Sequence, residues 1–186
     1  MERNLCVAGF GGQGVMTLGK MLATATCDST DKNVTFFPSY GAEQRGGTAN
    51  CFVVISDEAI GAPLGDVMDD LIVMNNPSLV KFLKTLRKGG TLFINDTIVT
   101  DPVLNDPVAM DGIKVVKAPV TALALGLGNP KVLNIIMLGV YVGYTEIIEP
   151  EIVWKAIEHK LGSKPKLLPL NKTAFEKGLE IGRNQR

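Results

Sequence analysis

The stretch Leu5-Cys-Val-Ala-Gly-Phe-Gly-Gly-Gln-Gly14 constrains this chain more than any other: an apolar run breaks into glycines, and a helical pattern follows at once. Gly9, Gly11 and Gly14 fit the spacing G-x-G-x-x-G, a strand-to-helix turn that brings backbone N–H groups close to a phosphate. Glycine tolerates positive φ there, and it lacks the Cβ that would hold a ligand oxygen away from the amides. Beyond the turn, the free N–H groups and positive dipole end of the helix favour negative charge. A tight turn that only packs helix on strand leaves the same glycine trace, so the motif alone leaves both readings open.

The rest of the chain alternates strand and helix patterns. Leu5–Ala8 reads as a buried strand and Gln13 to Cys27 as a helix. Val34–Phe37 reads as a second strand stopped by Pro38, and Thr48–Ser56 and Leu71–Met74 as the third and fourth. A helix is expected over Pro77–Arg87, with Asn76 as its N-cap and Gly89-Gly90 as its stop. Strands follow at Thr91–Asn95 and Ile113–Lys117. Helices are expected over Val120–Leu127, Lys131–Tyr144, Pro150–Leu161 and Asn171–Asn184, the second of them apolar nearly all round and therefore buried. The expected fold is α/β: an open, mostly parallel, Rossmann-like sheet with helices on both faces and further helices at the C-terminus. With no repeat or linker, 186 residues suit a single domain spanning 1–186.

Composition narrows the function. Nineteen basic residues balance nineteen acidic ones, which argues against nucleic acid as a partner. Residues 132–144 are the most apolar stretch but are short and broken by Asn134 and glycines, so no membrane span is expected. The N-terminus enters a strand pattern directly, so a cytoplasmic location is the expectation. The hydrophobic share of 46% and the mean hydropathy of +0.19 suggest apolar surface set against another chain. Cys6, Cys27 and Cys51 are too few and too scattered for a four-thiolate iron–sulfur cluster, and Cys6 and Cys51 read as buried structural thiols. No metal site is expected on this chain, and His159 reads as a solvated surface histidine.

A nicotinamide-binding domain carries an acid near the end of its second strand to hold the ribose 2′-hydroxyl. That strand ends here in Phe36-Phe37-Pro38-Ser39, Asp28 and Asp31 lie at its wrong end, and Glu43 falls in the next loop. The loop itself is richer. Tyr40, Glu43 and Arg45 sit within six residues, framed by Gly41, Gly46 and Gly47. In an open parallel sheet it emerges at the same carboxyl edge as the first glycine turn, where ligands bind. Arg45 has the fork to grip a phosphate or carboxylate. A surface loop with a local Glu–Arg pair is the plainer alternative.

Gly9-Phe-Gly-Gly-Gln-Gly-Val15 followed by Ser39-Tyr-Gly-Ala-Glu-Gln-Arg-Gly-Gly47 closely resembles the gamma subunit of 2-oxoacid:ferredoxin oxidoreductases, the pyruvate/2-oxoglutarate/ketoisovalerate group. Gly128-Asn-Pro-Lys-Val132, with Asn134 and Leu138-Gly139, is similar to that family too, and the resemblance covers roughly residues 5 to 180. It implies a cytoplasmic complex that decarboxylates a 2-oxoacid on thiamine diphosphate, reduces ferredoxin through [4Fe-4S] clusters and transfers the acyl group to coenzyme A. It further implies that alpha, beta and ferredoxin-like delta subunits carry the thiamine, its Mg2+ and the clusters, and that this chain has no catalytic residue of its own. On the same basis Gly11, Gly12, Gln13 and Gly14 form the phosphate side of a coenzyme A site. Ser39, Tyr40, Gly41, Glu43, Arg45, Gly46 and Gly47 are then ligand or interface residues. Gly65-Asp66 and Asn75-Asn76 superficially match a thiamine–magnesium motif, but the second glycine is missing and the separation is too short. The alternatives are a freestanding NAD(P)-binding dehydrogenase domain, the smaller subunit of an indolepyruvate oxidoreductase, and a pure scaffold whose glycine loops only shape an interface.

Overall fold

The computed structural model describes residues 1–40 and 48–186. Six strands form one sheet in the order β2-β3-β1-β4-β5-β6: β1 (Glu2–Phe10), β2 (Asn33–Tyr40), β3 (Thr48–Ser56), β4 (Met68–Val73), β5 (Leu86–Asn95) and β6 (Lys114–Ala118). β1, β4, β5 and β6 pair in parallel, while β3 pairs antiparallel with both β1 and β2. Five strands therefore run one way and β3 runs against them, which gives the expected mostly parallel sheet with one reversed member. Strict alternation of strands and helices fails at β2–β3. Only residues 41–47 join those strands, and a parallel crossover needs about a dozen residues, so the pair closes as a hairpin.

The described residues also form six α-helices: α1 (Val15–Ser29), α2 (Asn76–Phe82), α3 (Val120–Gly126), α4 (Leu133–Thr145), α5 (Pro150–Leu161) and α6 (Leu168–Asn184). Strand residues alternate between two cores. Leu5, Val7, Val53, Ile55, Ile72 and Phe93 face a thick layer made by α1, α4, α5 and α6. Cys6, Ala8, Leu71, Val73, Leu92 and Ile94 face a thinner one, made by Leu79 and Phe82 of α2, Val99 and the irregular segment after β5. Among the described residues no helix is long and apolar enough to cross a membrane.

α4 is buried continuously from Asn134 to Gly143, as its all-round apolar pattern requires. It meets α6 along glycines four residues apart on each helix, Gly139 and Gly143 against Gly178 and Gly182. A Cβ at any of the four would come closer than 3.0 Å to a backbone atom of the opposite helix. The two helices thus pack main chain to main chain, an arrangement that the local sequence pattern does not announce.

Three local expectations need correction. β2 continues through Pro38 to Tyr40, because β2 is an edge strand and a proline lacking an N–H breaks no ladder on its open side. The N-cap of α2 is Asn75, whose side chain accepts from Ser78 N at 2.9 Å; the carboxamide of Asn76 instead accepts from the N–H groups of Thr100 and Asp101. α2 also stops at Phe82 and a 3-10 turn over Leu83–Thr85 follows, so Gly89-Gly90 lies inside β5 rather than ending a helix. The β4–β5 register shifts between Met68 and Asp70 next to that pair, and a Cβ on Gly90 would run into the carbonyls of Arg87 and Asp69.

Candidate functional site

β1 delivers the chain to the carboxyl edge of the sheet, where residues 11–14 turn it into α1. Gln13 N donates to Phe10 O at 3.2 Å, and Phe10 N donates to the Gln13 side-chain oxygen at 2.7 Å, so the turn is tied from both ends. Gly12 has φ 97 and Gly14, the N-cap of α1, has φ 73, a region where an L side chain costs about 1–2 kcal/mol. Gly9 and Gly14 are tightly enclosed: a Cβ on Gly9 would strike Gln13, Met74 and Val15, and one on Gly14 would strike Asn134. Gly11 and Gly12 are the opposite. Both are exposed, and a Cβ built on either meets nothing within 4 Å.

The turn runs directly into the N-terminus of α1, whose first-turn N–H groups have no partner within the helix. No side chain caps that end and no acidic residue stands in its first turn. Exposed glycine backbone and a positive, uncapped helix end thus lie within four residues of each other, a combination that suits an anionic oxygen.

A belt of uncharged amides holds this spot in place. The Gln13 oxygen also accepts from Asn75 Nδ2 at 3.1 Å, and Gln13 Nε2 donates to Met74 O at 3.0 Å. Asn95, fully buried at the end of β5, donates to Thr121 Oγ1 at 2.8 Å and accepts from Thr121 N at 3.3 Å. Asn134 at the start of α4 donates to Gly14 O at 3.3 Å. The ends of β1, β4 and β5 are thereby linked to the starts of α1, α2, α3 and α4. Buried polar groups satisfied in this way rigidify the edge they line.

The residues singled out in the sequence distribute as follows. Gly11, Gly12 and Gly14 form the turn. Gln13 belongs to it, but its side chain points into the protein and its polar atoms are taken by Phe10, Met74 and Asn75. Ser39 and Tyr40 end β2 opposite Asn50 and Ala49, while Thr48 pairs with Phe10. The connection from Tyr40 to Thr48 therefore leaves from and returns to the same sheet edge as the turn. Gly41, Glu43, Arg45, Gly46 and Gly47 lie outside the described residues. Sequence reasoning missed the bracing roles of Asn75, Asn95 and Thr121; the usable signal was an asparagine directly after or at the end of an apolar strand, twice.

At the other edge of the sheet sits a charged anchor. Asp70 of β4 is fully buried, takes Arg3 on both oxygens at 2.5 and 2.9 Å, and accepts from the Tyr141 hydroxyl at 2.9 Å. Asp70 raises the Arg3 guanidinium further above its ordinary value, and burial pushes the Tyr141 phenol well up. Both groups keep their protons across the physiological range, and their bonds to Asp70 fix α4 onto the strands. Burial also pushes the Cys51 thiol up to about 12, which marks it as packing material rather than a nucleophile.

Comparison with known proteins gives a consistent picture. Residues 4–181 match the family described as "Pyruvate ferredoxin/flavodoxin oxidoreductase". The chain is 35% identical over 184 residues to the ketoisovalerate oxidoreductase subunit VorA of Methanothermobacter thermautotrophicus, covering 98% of this chain and 37% of that protein. It is 33% identical over 186 residues to the 2-oxoglutarate synthase subunit KorC of Methanocaldococcus jannaschii, covering 98% of this chain and 95% of the relative. It thus spans little more than a third of VorA and nearly all of KorC. Its fold matches part of the 2-oxoglutarate:ferredoxin oxidoreductase from Magnetococcus marinus, solved with 2-oxoglutarate, coenzyme A and succinyl-CoA bound, with TM-score 0.89 and 23% identity over 98% of this chain and 31% of that one.

Proposed function

The chain belongs to the pyruvate ferredoxin/flavodoxin oxidoreductase family, and we propose that it serves as the gamma-type component of a 2-oxoacid:ferredoxin oxidoreductase complex. The complex converts a 2-oxoacid, coenzyme A and oxidised ferredoxin into acyl-coenzyme A, carbon dioxide and reduced ferredoxin, in the cytoplasm. Thiamine diphosphate with its Mg2+ and the [4Fe-4S] clusters reside on alpha, beta and delta partners. The relatives carry names for ketoisovalerate and 2-oxoglutarate, so the identity of the acid is left to the chain that holds the thiamine.

Within that complex this chain holds the anionic end of coenzyme A. The observation that carries the reading is the open pair Gly11-Gly12 beside the uncapped, acid-free N-terminus of α1. A pyrophosphate needs backbone N–H groups at close range and no ribose-binding acid, which is what the turn offers and what β2 lacks. Arg45, with Ser39, Tyr40 and Glu43, is assigned to the second wall of the site or to the partner interface. Gly41, Gly46 and Gly47 are assigned to the same group of residues. The amide belt keeps the turn from shifting when a partner docks. Holding the coenzyme so that its thiol meets the acyl group turns a bimolecular step into a positioned one, worth about 7–11 kcal/mol in well-oriented cases.

Isothermal titration of the chain, alone and in the reconstituted complex, with coenzyme A and with NADH tests the assignment. Saturable coenzyme A binding that is weakened by Arg45→Ala, with no NADH binding, is expected. NADH binding in place of coenzyme A would return the chain to the dehydrogenase reading.

A further inference from the structure

On the thin side of the sheet, α2 and the 3-10 turn after it face the turn over residues 106–113 across a groove of about 350 Å³. Leu83, Leu86 and Ile113 line it below, while Val80 and Val108 line it above and are 62% and 84% exposed. Isolated apolar side chains in water are ordinary. Two that line the same cavity over an apolar floor form a patch, and patches rimmed by polar groups mark interaction sites.

The rim is basic on balance, with Lys84 and Lys88 against Asp111. Residues 80–88, Val-Lys-Phe-Leu-Lys-Thr-Leu-Arg-Lys, hold four basic residues and no acid, in a chain whose charges as a whole cancel at 19 against 19. Arg87 pairs away from the groove with Asp69 at 2.7 Å, and Lys81 reaches Thr48. Asp111, the one acid lining the groove, is held by Lys88 at 2.6 Å. Lys84 lines the groove and makes no ion pair among the described residues. Its stem extends the apolar lining and its ammonium group stays available.

We infer that this groove is a docking site for an acidic segment of a partner polypeptide, one that inserts apolar side chains between Val80 and Val108 and sets a carboxylate against Lys84. Charge complementarity of this kind steers association and fixes register more than it adds affinity. The site lies on the α2 side of the sheet and does not depend on where coenzyme A binds.

The test is zero-length carbodiimide cross-linking of the complex isolated from the organism's own cells, with peptide mapping, because this reagent joins only an amine and a carboxylate in direct contact. Links from Lys84 to Asp or Glu of a different polypeptide are expected, together with slowed hydrogen exchange over residues 80–88 and 106–113 relative to the free chain. A Lys84→Glu/Val108→Asp variant, altered only at exposed positions, should retain at least tenfold less partner, while Lys155→Glu on α5 retains it fully. Circular dichroism of each variant confirms the fold. Links to a second copy of this chain, salt-sensitive retention of duplex DNA by the free chain, or no link, no protection and full retention would each overturn the proposal.

Discussion

Two regions of this molecule are rich in glycine for opposite reasons. At the carboxyl end of β1, Gly11 and Gly12 have empty space where a side chain would go. Between α4 and α6, Gly139, Gly143, Gly178 and Gly182 have no space at all, because the opposite helix's backbone occupies it. In the sequence the turn reads as glycines one or two residues apart, and each side of the seam as a pair four residues apart. The seam uses its glycines for fold stability and is closed to anything else; at the turn the fold uses Gly12 for its positive φ, while neither a neighbour nor a positive φ requires glycine at Gly11. Gly61, Gly126 and Gly128 also face open space, so what sets Gly11 apart is its place beside the uncapped N-terminus of α1, and the proposed coenzyme site gives its bare backbone a use.

The comparison can be broken most violently at the seam. Gly178→Ala places a methyl group against the carbonyl of Ile136, and overpacking of this sort should cost about 3 kcal/mol, read as a lowered midpoint in guanidinium unfolding. A loss below about 1 kcal/mol would mean that the helices separate easily and that the seam is not closed. Gly14→Ala sits between the two regions, in the turn but enclosed by Asn134 and at positive φ. It should cost about 1–2 kcal/mol in the same assay, and less than Gly178→Ala.

A thiol probe sharpens the closed side further. Gly19 of α1 lies so close to Cys51 that a Cβ there would meet its sulfur at under 3.0 Å, and Cys6 and Cys51 are fully buried while Cys27 is exposed. A disulfide reagent at pH 8 should titrate one thiol in the native chain and three in denaturant. The sign of the pH effect follows from the same burial. The unfolded chain loses the Cys51 proton near the ordinary 9.0, whereas the folded protein keeps it up to about 12. The folded state therefore binds more protons within that window, and stability falls as pH rises from about 9 towards 12. The raised Tyr141 phenol acts in the same direction. Unfolding midpoints that stay flat to pH 11 would contradict this.

The smallest effect comes from a position that wants glycine and lacks one. Glu146 ends α4 at φ 48, paired with Arg186 on the surface. Glu146→Gly should leave stability unchanged or raise it by up to about 1 kcal/mol, since glycine carries no Cβ penalty there and an exposed ion pair contributes little. A clear loss would show that the pair outweighs the backbone.

Much of the architecture is legible in the sequence because it rests on local chemistry. The strand entering Gly9–Gly14, the strand Thr48–Ser56, the buried character of Lys131–Tyr144 and the helix Pro150–Leu161 all follow from apolar period and punctuation. What is not legible depends on partners distant in sequence. The reversed β3 follows from a seven-residue connection, a length visible in the chain but masked by glycines that point equally to a ligand loop. Pro38 fits inside a strand only because β2 is an edge. The α4–α6 seam pairs Gly139 with Gly178 across the fold, and nothing local distinguishes those glycines from flexible ones. At the candidate site the glycines stand out in the sequence, but Gln13, expected among the ligand residues, has its side chain committed to Met74 and Asn75, sixty residues away in the chain. Asn75 resembles part of a metal motif in the sequence, and its structural role emerges only once the sheet edge is assembled.

Gly11→Ala isolates the central claim, because this glycine is exposed, lies outside the positive-φ set and has nothing within 4 Å of an added methyl group. Coenzyme A affinity of the assembled complex, measured by calorimetry beside the unfolding midpoint of the chain, is the deciding pair of numbers. The account predicts an unchanged midpoint and at least tenfold weaker coenzyme binding. An unchanged midpoint with unchanged affinity would contradict it, and the open glycines would then belong to a turn that no phosphate approaches.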